Sequence, residues 1–242
     1  MLPSIVSSDE LAAAVGGEQL PLVFLDTAAI LDILRVPYRH NLQFEIIESA
    51  VAIIESSVAR PRSIWAVTTA NVIQELQAHR ESEQQELESH ISALNRSMSR
   101  LSRVASVVLP ERRISHVDWL GLSLHDRVLG IMDRVVTSLI VFRGSVDCIG
   151  KARDRLWAGQ PPASKSKQEF KDCEIFEEFL EIVNTLRING FDKPAVFVTP
   201  NKQDYGEPPR GHDRVASDLE AAGAGYAANI SWALALARKA AG

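Results

Sequence analysis

Four acidic residues, Asp26, Glu75, Asp172 and Asp204, stand at widely separated points of the chain, each in a context that would bring it to one edge of a sheet. Carboxylates that converge repel one another unless a cation lies among them, and oxygen-only ligation suits a hard divalent ion, Mg²⁺ or Mn²⁺, that keeps part of its water shell. Zinc fits less well: none of the six histidines forms a pair at metal-ligand spacing, and the two cysteines, Cys148 and Cys173, are far apart. One or two hard ions polarise a phosphodiester, lower the pKa of a bound water and stabilise the leaving oxygen, so the chemistry permitted is phosphodiester hydrolysis. Read singly, Asp26 is as well a helix cap and Asp172 a first-turn acid favoured by the helix dipole. The metal site is carried by the conjunction of the four.

These acids need elements to position them. The run Pro21-Leu22-Val23-Phe24-Leu25 stops abruptly at Asp26, the pattern of a buried parallel strand ending at the carboxyl edge of a sheet, where open α/β folds gather ligand chemistry. Ala195-Val196-Phe197-Val198 is a second such run, followed by a polar turn that carries Asp204. A strand through Ile64 to Val67 leads to Thr68 or Thr69, either able to cap a helix containing Val72, Ile73, Glu75 and Leu76. Asp172 opens a helix in which Ile175, Phe176, Phe179, Leu180, Ile182, Val183 and Leu186 recur at helical spacing, with Glu174, Glu177, Glu178 and Glu181 on the other face. Asp172 falls on the apolar stripe, where an uncompensated carboxylate is costly and a shared cation would remove the cost.

The remaining segments read as a lead-in helix over 9–15 stopped by Gly16-Gly17, and two helices over 28–34 and 42–58 separated by Pro37. The sequence from Val72 to about Gly144 is almost continuously helix-compatible, broken near Pro110 and Gly121, which predicts a helical insertion at about 77–158. Gly159 to Lys167 is a loop delivering the chain to Asp172. A helix over 213–222, an extended piece at Tyr226-Ala227 and a terminal helix carrying Trp232, Leu234 and Leu236 close the chain. Strands alternating with helices predict a three-layer α/β/α fold around a mostly parallel sheet, and 242 residues, 46% of them hydrophobic, suffice for one elaborated domain over 1–242.

A net charge of −5 argues against coating nucleic acid by charge alone. Local basic patches remain. Lys151, Arg153, Arg155, Lys165, Lys167 and Lys171 accumulate before Asp172 and form a candidate phosphate track. Arg96, Arg100 and Arg103 align along one helical face, for phosphates or a protein partner. Taken alone, either cluster is an ordinary solvated surface. Asp32 reads as surface, His125-Asp126 as only superficially like a catalytic pair, and the tryptophans Trp65, Trp119, Trp157 and Trp232 as core or subunit contacts, since they do not cluster in sequence. Trp119, Leu120, Leu122 and Leu124 are apolar enough to serve a homo-oligomer or the interior. Two sparse cysteines fit reduced thiols. The first residues show no basic stretch leading into a long apolar core, and no apolar run approaches the roughly 20 residues that span a bilayer. The expectation is a soluble cytoplasmic protein with no membrane partner.

Asp26-Thr27 after an apolar strand, Val72-Ile73-Gln74-Glu75-Leu76, Lys171-Asp172-Cys173-Glu174-Ile175, and Phe197 to Tyr205 with its Thr199-x-Asn201-x-x-Asp204-Tyr205 pattern together resemble the PIN domain in order and approximate spacing. The last motif is the most specific, and the resemblance spans about residues 21–230. The Pro-Pro-x-Ser-Lys stretch before Asp172 is similar to a larger PIN-like branch rather than to the compact toxin ribonucleases. The resemblance implies a metal-dependent cut of RNA, less often single-stranded DNA, with Asp26, Glu75, Asp172 and Asp204 holding Mg²⁺ or Mn²⁺ and Thr27, Thr199 and Asn201 in support. Whether a protein inhibitor or a homo-oligomer partners the chain is left open by the sequence. One departure is Ala28, where the family commonly has Asn or Ser, which removes a supporting hydrogen bond. The rival expectation is a catalytically silent PIN-like module that binds RNA or a protein. A small-molecule phosphohydrolase is a third, though Asp26-Thr27-Ala28 lacks the second acid of the haloacid-dehalogenase-like pattern.

Overall fold

Leu22-Val23-Phe24-Leu25 and Ala195-Val196-Phe197-Val198 are buried at every position and run side by side in parallel, Leu22 to Leu25 opposite Ala195 to Val198. Strands apolar on both faces must be covered on both, so this pair forms the middle of a sheet sandwiched by helices. The computed structural model describes residues 5–109, 112, 115–163 and 170–239. Its elements are β1 (Ile5–Ser7), α1 (Ser8–Gly16), β2 (Leu22–Leu25), α2 (Thr27–Arg35), α3 (Glu45–Val58), β3 (Trp65–Thr69), α4 (Ala70–Val108), α5 (Leu124–Ser138), β4 (Ile140–Arg143), α6 (Val146–Ala158), α7 (Phe170–Ile188), β5 (Ala195–Val198), α8 (Lys202–Tyr205), α9 (Asp213–Ala222), β6 (Ala224–Ala227) and α10 (Ile230–Lys239). The described strands form one six-stranded sheet in the order β1-β4-β3-β2-β5-β6, parallel throughout. The three-layer α/β/α expectation is met.

Two strands, β1 and β4, escape the sequence pattern. The run Leu139-Ile140-Val141-Phe142 follows α5 with no glycine or proline between, so an apolar stretch of that length reads equally as helix. Pairing with β3 on one side and β1 on the other decides for strand. Residues 77–158 are therefore not wholly helical insertion: α4 and α5 are, whereas β4 and α6 return the chain to the sheet. Helix α4 has 39 residues, about 58 Å of helix. Only its first part is buried, at Val72, Ile73, Leu76, Glu83, Leu87 and Ile91, while Leu94, Leu101, Val104 and Val108 are exposed.

The core is an aromatic cluster beneath the carboxyl edge. Phe24 stacks on Phe197 at 5.4 Å and meets Phe179 edge-on at 5.3 Å, and Phe176 meets Tyr205 edge-on at 5.7 Å. Helix α7 supplies two of these rings, but its acidic face is not solvated: Glu177 and Glu178 are both buried. Trp119, Leu120 and Leu124 pack against the core, whereas Leu122 is exposed. Trp65 is core and Trp157 is exposed. Among the described residues no helix is long and apolar enough to cross a membrane.

Candidate functional site

Asp26 ends β2 and begins α2. Its backbone is extended, and its carboxylate accepts the Thr27 N–H at 2.7 Å, an N-cap that fixes the side chain at the sheet's edge. The residue is only 4% exposed. Burial pushes the Asp26 carboxyl up to about 6, against a hydrogen bond with Thr199 that pulls it down, and the neighbouring charge of Glu75 adds to the rise. Glu75 sits in the second turn of α4, which is capped by the Thr69 hydroxyl accepting the Val72 N–H, and its carboxylate accepts the Thr27 hydroxyl at 2.7 Å. Thr27 thus ties the first two acids together, through its N–H to one and its hydroxyl to the other.

Asp172 enters from the first turn of α7, and its carbonyl accepts the Tyr205 hydroxyl at 3.1 Å. Asn201 follows β5 and caps α8; its amide donates to the Asp204 carboxylate at 2.8 Å. Asp26, Glu75 and Asp172 line one cleft of about 150 Å³ together with Thr27, Ala28 and Asn201. Asp204 does not line that cleft; it is 6% exposed and held by Asn201, which does. The structure therefore brings three of the four acids to one opening and sets the fourth behind Asn201.

Arg35 and His79 also line the cleft and were not anticipated. The signal was helical spacing: Thr27, Leu31 and Arg35 are four residues apart on α2, and His79 follows Glu75 by four on α4. Arg35 is anchored by Glu83, to which Tyr38 also donates at 2.8 Å, and by Asp32 at 3.4 Å. Asp32 is buried rather than on the surface, and burial raises its carboxyl to about 6 despite the adjacent Arg35.

The expected phosphate track is altered. Lys165 and Lys167 lie outside the described residues, while Lys151, Arg153 and Lys171 are exposed. Arg155 is not available to a ligand: it is 4% exposed, its guanidinium donates to Glu177 at 2.9 Å and to Asp218 at 2.8 Å, and a further nitrogen reaches the Pro161 carbonyl at 2.7 Å. Helical position decides this, since Arg155 falls on the side of α6 that packs on α7, along with Ala152 and Cys148. Arg96, Arg100 and Arg103 are exposed on the distal part of α4.

Among the described residues, no group of three or more His, Cys, Asp or Glu side chains is arranged to hold a metal ion. The donor set still fits a hard cation in kind. Three carboxylates from separate segments face one cleft, and one of them is destabilised as an anion by burial and by its neighbour. Mg²⁺ keeps several waters and needs only one or two protein carboxylates, a number that Asp26 with Glu75 or Asp172 would supply.

A parallel sheet that gathers acids at its carboxyl edge defines an α/β/α protein with an acidic ligand cleft. The PIN domain family model matches residues 23–205, more than half of the chain, and the chain belongs to this nuclease-like family. No curated protein and no solved structure matches it.

Proposed function

We propose that the chain is a metal-dependent nuclease that hydrolyses phosphodiester bonds in RNA, with single-stranded DNA as the lesser substrate. The observation that carries this reading is the convergence of Asp26, Glu75 and Asp172 on one cleft at the carboxyl edge of the sheet. Asp26, Glu75 and Asp172 would hold Mg²⁺ or Mn²⁺, which when bound supplies charge neutralisation and a water of lowered pKa. The chain's own residues position these acids. Thr27 and Thr199 orient Asp26, Thr27 also fixes Glu75, and Asn201 links the cleft to Asp204. Arg35 presents a cation at the cleft wall for a phosphate oxygen, held in place by Glu83 and Asp32. Arg153 and Lys171 supply exposed positive charge for the strand.

The reading places the whole chain, 1–242, in one elaborated PIN-like domain acting in the cytoplasm, which the two buried free thiols support. A protein inhibitor or a second copy would use the exposed apolar stripe of α4. A silent PIN-like binding module is the second reading, favoured by the lack of a ready three-carboxylate cage among the described residues and by Ala28 in the cleft wall.

The test is cleavage of mixed RNA and DNA oligonucleotides in Mg²⁺, Mn²⁺ or EDTA by wild type, Asp26→Asn and Asp172→Asn. Metal-dependent cleavage lost in both variants is the expected result. Cleavage that persists in Asp26→Asn overturns the assignment of the cleft, and no cleavage in any metal selects the silent module.

A further inference from the structure

Helix α6 carries an exposed face that the carboxylate cleft does not use. Val146, Ile149, Arg153 and Trp157 recur at i, i+3, i+7 and i+11, the spacing of a single helical face about 17 Å long. Three of them are large apolar side chains left in solvent, Val146 at 81%, Ile149 at 47% and Trp157 at 75% exposure. The Arg153 guanidinium lies over the Trp157 ring, 4.9 Å from its centroid. Asp147, Lys151 and Asp154 are on α6 too, but turned away from this stripe by helical position.

The N-terminal end of the face opens into a cavity of about 530 Å³, walled opposite by Asn71, Ile73, Gln74 and Gln77 of α4. Its floor is fixed. The buried Glu178 accepts the Gly144 N–H at 3.1 Å and the Asn71 amide at 3.2 Å, and a Cβ on Gly144 would lie 2.6 Å from the Glu178 Cγ. Cavity and cleft share two elements: on α4, Gln74 lines the cavity and Glu75 the cleft, and on α7, Glu174 lines the cavity and Asp172 the cleft.

The chemistry of this surface matches nucleobases. Aliphatic walls with convergent side-chain amides suit the flat body and the hydrogen-bonding edge of one base, and a volume in the few-hundred Å³ range suits one nucleoside. Two acids, Glu174 and Glu178, and one cation, Arg143, line the cavity, a balance that disfavours a phosphate there, and Glu174 can accept from a base amino group. At the other end, an exposed indole with a guanidinium on its face is a stacking platform that tolerates any base. We propose that α6 binds the bases of a single-stranded nucleic acid that runs from the carboxylate cleft across the start of α4, with one base in the cavity and another on Trp157. This inference rests on the nuclease reading for the path of the strand, but its binding step needs no catalysis.

The test is done on the full chain in EDTA, so that cleavage does not intervene. Binding of fluorescent single-stranded RNA and DNA is compared for wild type, Trp157→Ala, Trp157→Phe and Val146→Asp, all exposed positions whose replacement should leave thermal melting unchanged. Trp157→Ala and Val146→Asp should each weaken binding roughly fivefold or more, as the loss of one stacked or buried base implies. Trp157→Phe should restore most of the affinity, and oligonucleotide should quench wild-type tryptophan emission more than that of Trp157→Phe. An oligonucleotide without bases should bind wild type no better than it binds Trp157→Ala. Equal affinities across the variants, no binding by wild type, or a nucleoside monophosphate binding as tightly as the oligonucleotide would each overturn the proposal. The two readings fail separately: metal-dependent cleavage without α6-dependent binding sinks only the base surface, and α6-dependent binding without cleavage sinks only the nuclease.

Discussion

Replacing Asp26 by Asn should destroy cleavage and stabilise the fold, and the second effect can be sized from the structure. The buried Asp26 carboxyl has its pKa raised from 3.8 to about 6. A displacement of that size corresponds to about 3 kcal/mol between folded and unfolded chains. The native protein binds this proton more tightly than the unfolded chain does. The contribution is therefore fully present below about pH 4 and is lost as the pH rises through about 6. At pH 7.5 in EDTA the wild type carries a buried anion beside Glu75, which Asn would remove, while an Asn side-chain oxygen can still accept the Thr27 N–H. The variant should be more stable there by up to about 3 kcal/mol, or a rise in Tm of about 6 to 12 °C for a chain of this size. The measurement is thermal and urea denaturation of both proteins in EDTA at pH 4.5 and 7.5. Asp32, also raised to about 6, is common to both proteins and cancels in the comparison. Mg²⁺ should then narrow the gap by stabilising wild type alone, by about 2.7 kcal/mol at a hundredfold excess over its Kd. An Asp26→Asn protein that melts below wild type at pH 7.5 in EDTA, or one with the same pH dependence, would refute this account of the cleft's electrostatics.

Two further substitutions probe the frame around the cleft. Arg155→Ala should cost about 3 to 5 kcal/mol, because it strands the buried Glu177, whereas Asp218 keeps Arg214 at 3.2 Å; adding Glu177→Gln should recover part of the loss, and a larger fall in the double variant's denaturation midpoint would contradict the pairing. Gly206 has φ +88, and a Cβ there would stand 2.2 Å from the His212 backbone nitrogen, so Gly206→Ala should cost at least about 2 kcal/mol by urea titration and displace the turn after Asp204.

The strand-end acids were legible because their signals are local. An apolar run that stops at Asp26, and a Thr-x-Asn-x-x-Asp turn after Ala195 to Val198, state both the element and its edge within ten residues. What stayed hidden depends on partners distant in sequence. Ile140 to Phe142 becomes a strand only because β3 and β1 lie beside it. Arg155 reads as one of a basic series until Glu177 and Asp218 claim it, and Arg35 becomes part of the cleft only when α2 is packed against α4.

The acidic side of α7 shows why hydropathy misjudged this region. Glu177, Glu178 and Glu181 look like a solvated stripe, yet each fastens a different element to the helix. Glu177 takes Arg155 of α6; Glu178 takes Asn71 of α4 and the Gly144 N–H; Glu181 takes the Ser145 N–H and the Ser8 hydroxyl. Charges held in this way are favourable only with their partners in place, so the three glutamates act as a registry for α7 rather than as a source of net stability. That registry matters because Asp172 stands at the head of the same helix, where the Tyr205 hydroxyl ties it to α8 and through Asn201 to Asp204. Asp172 is thus located by acids that do not face the cleft, and Glu178→Gln should lower cleavage by disturbing Asp172 without touching it.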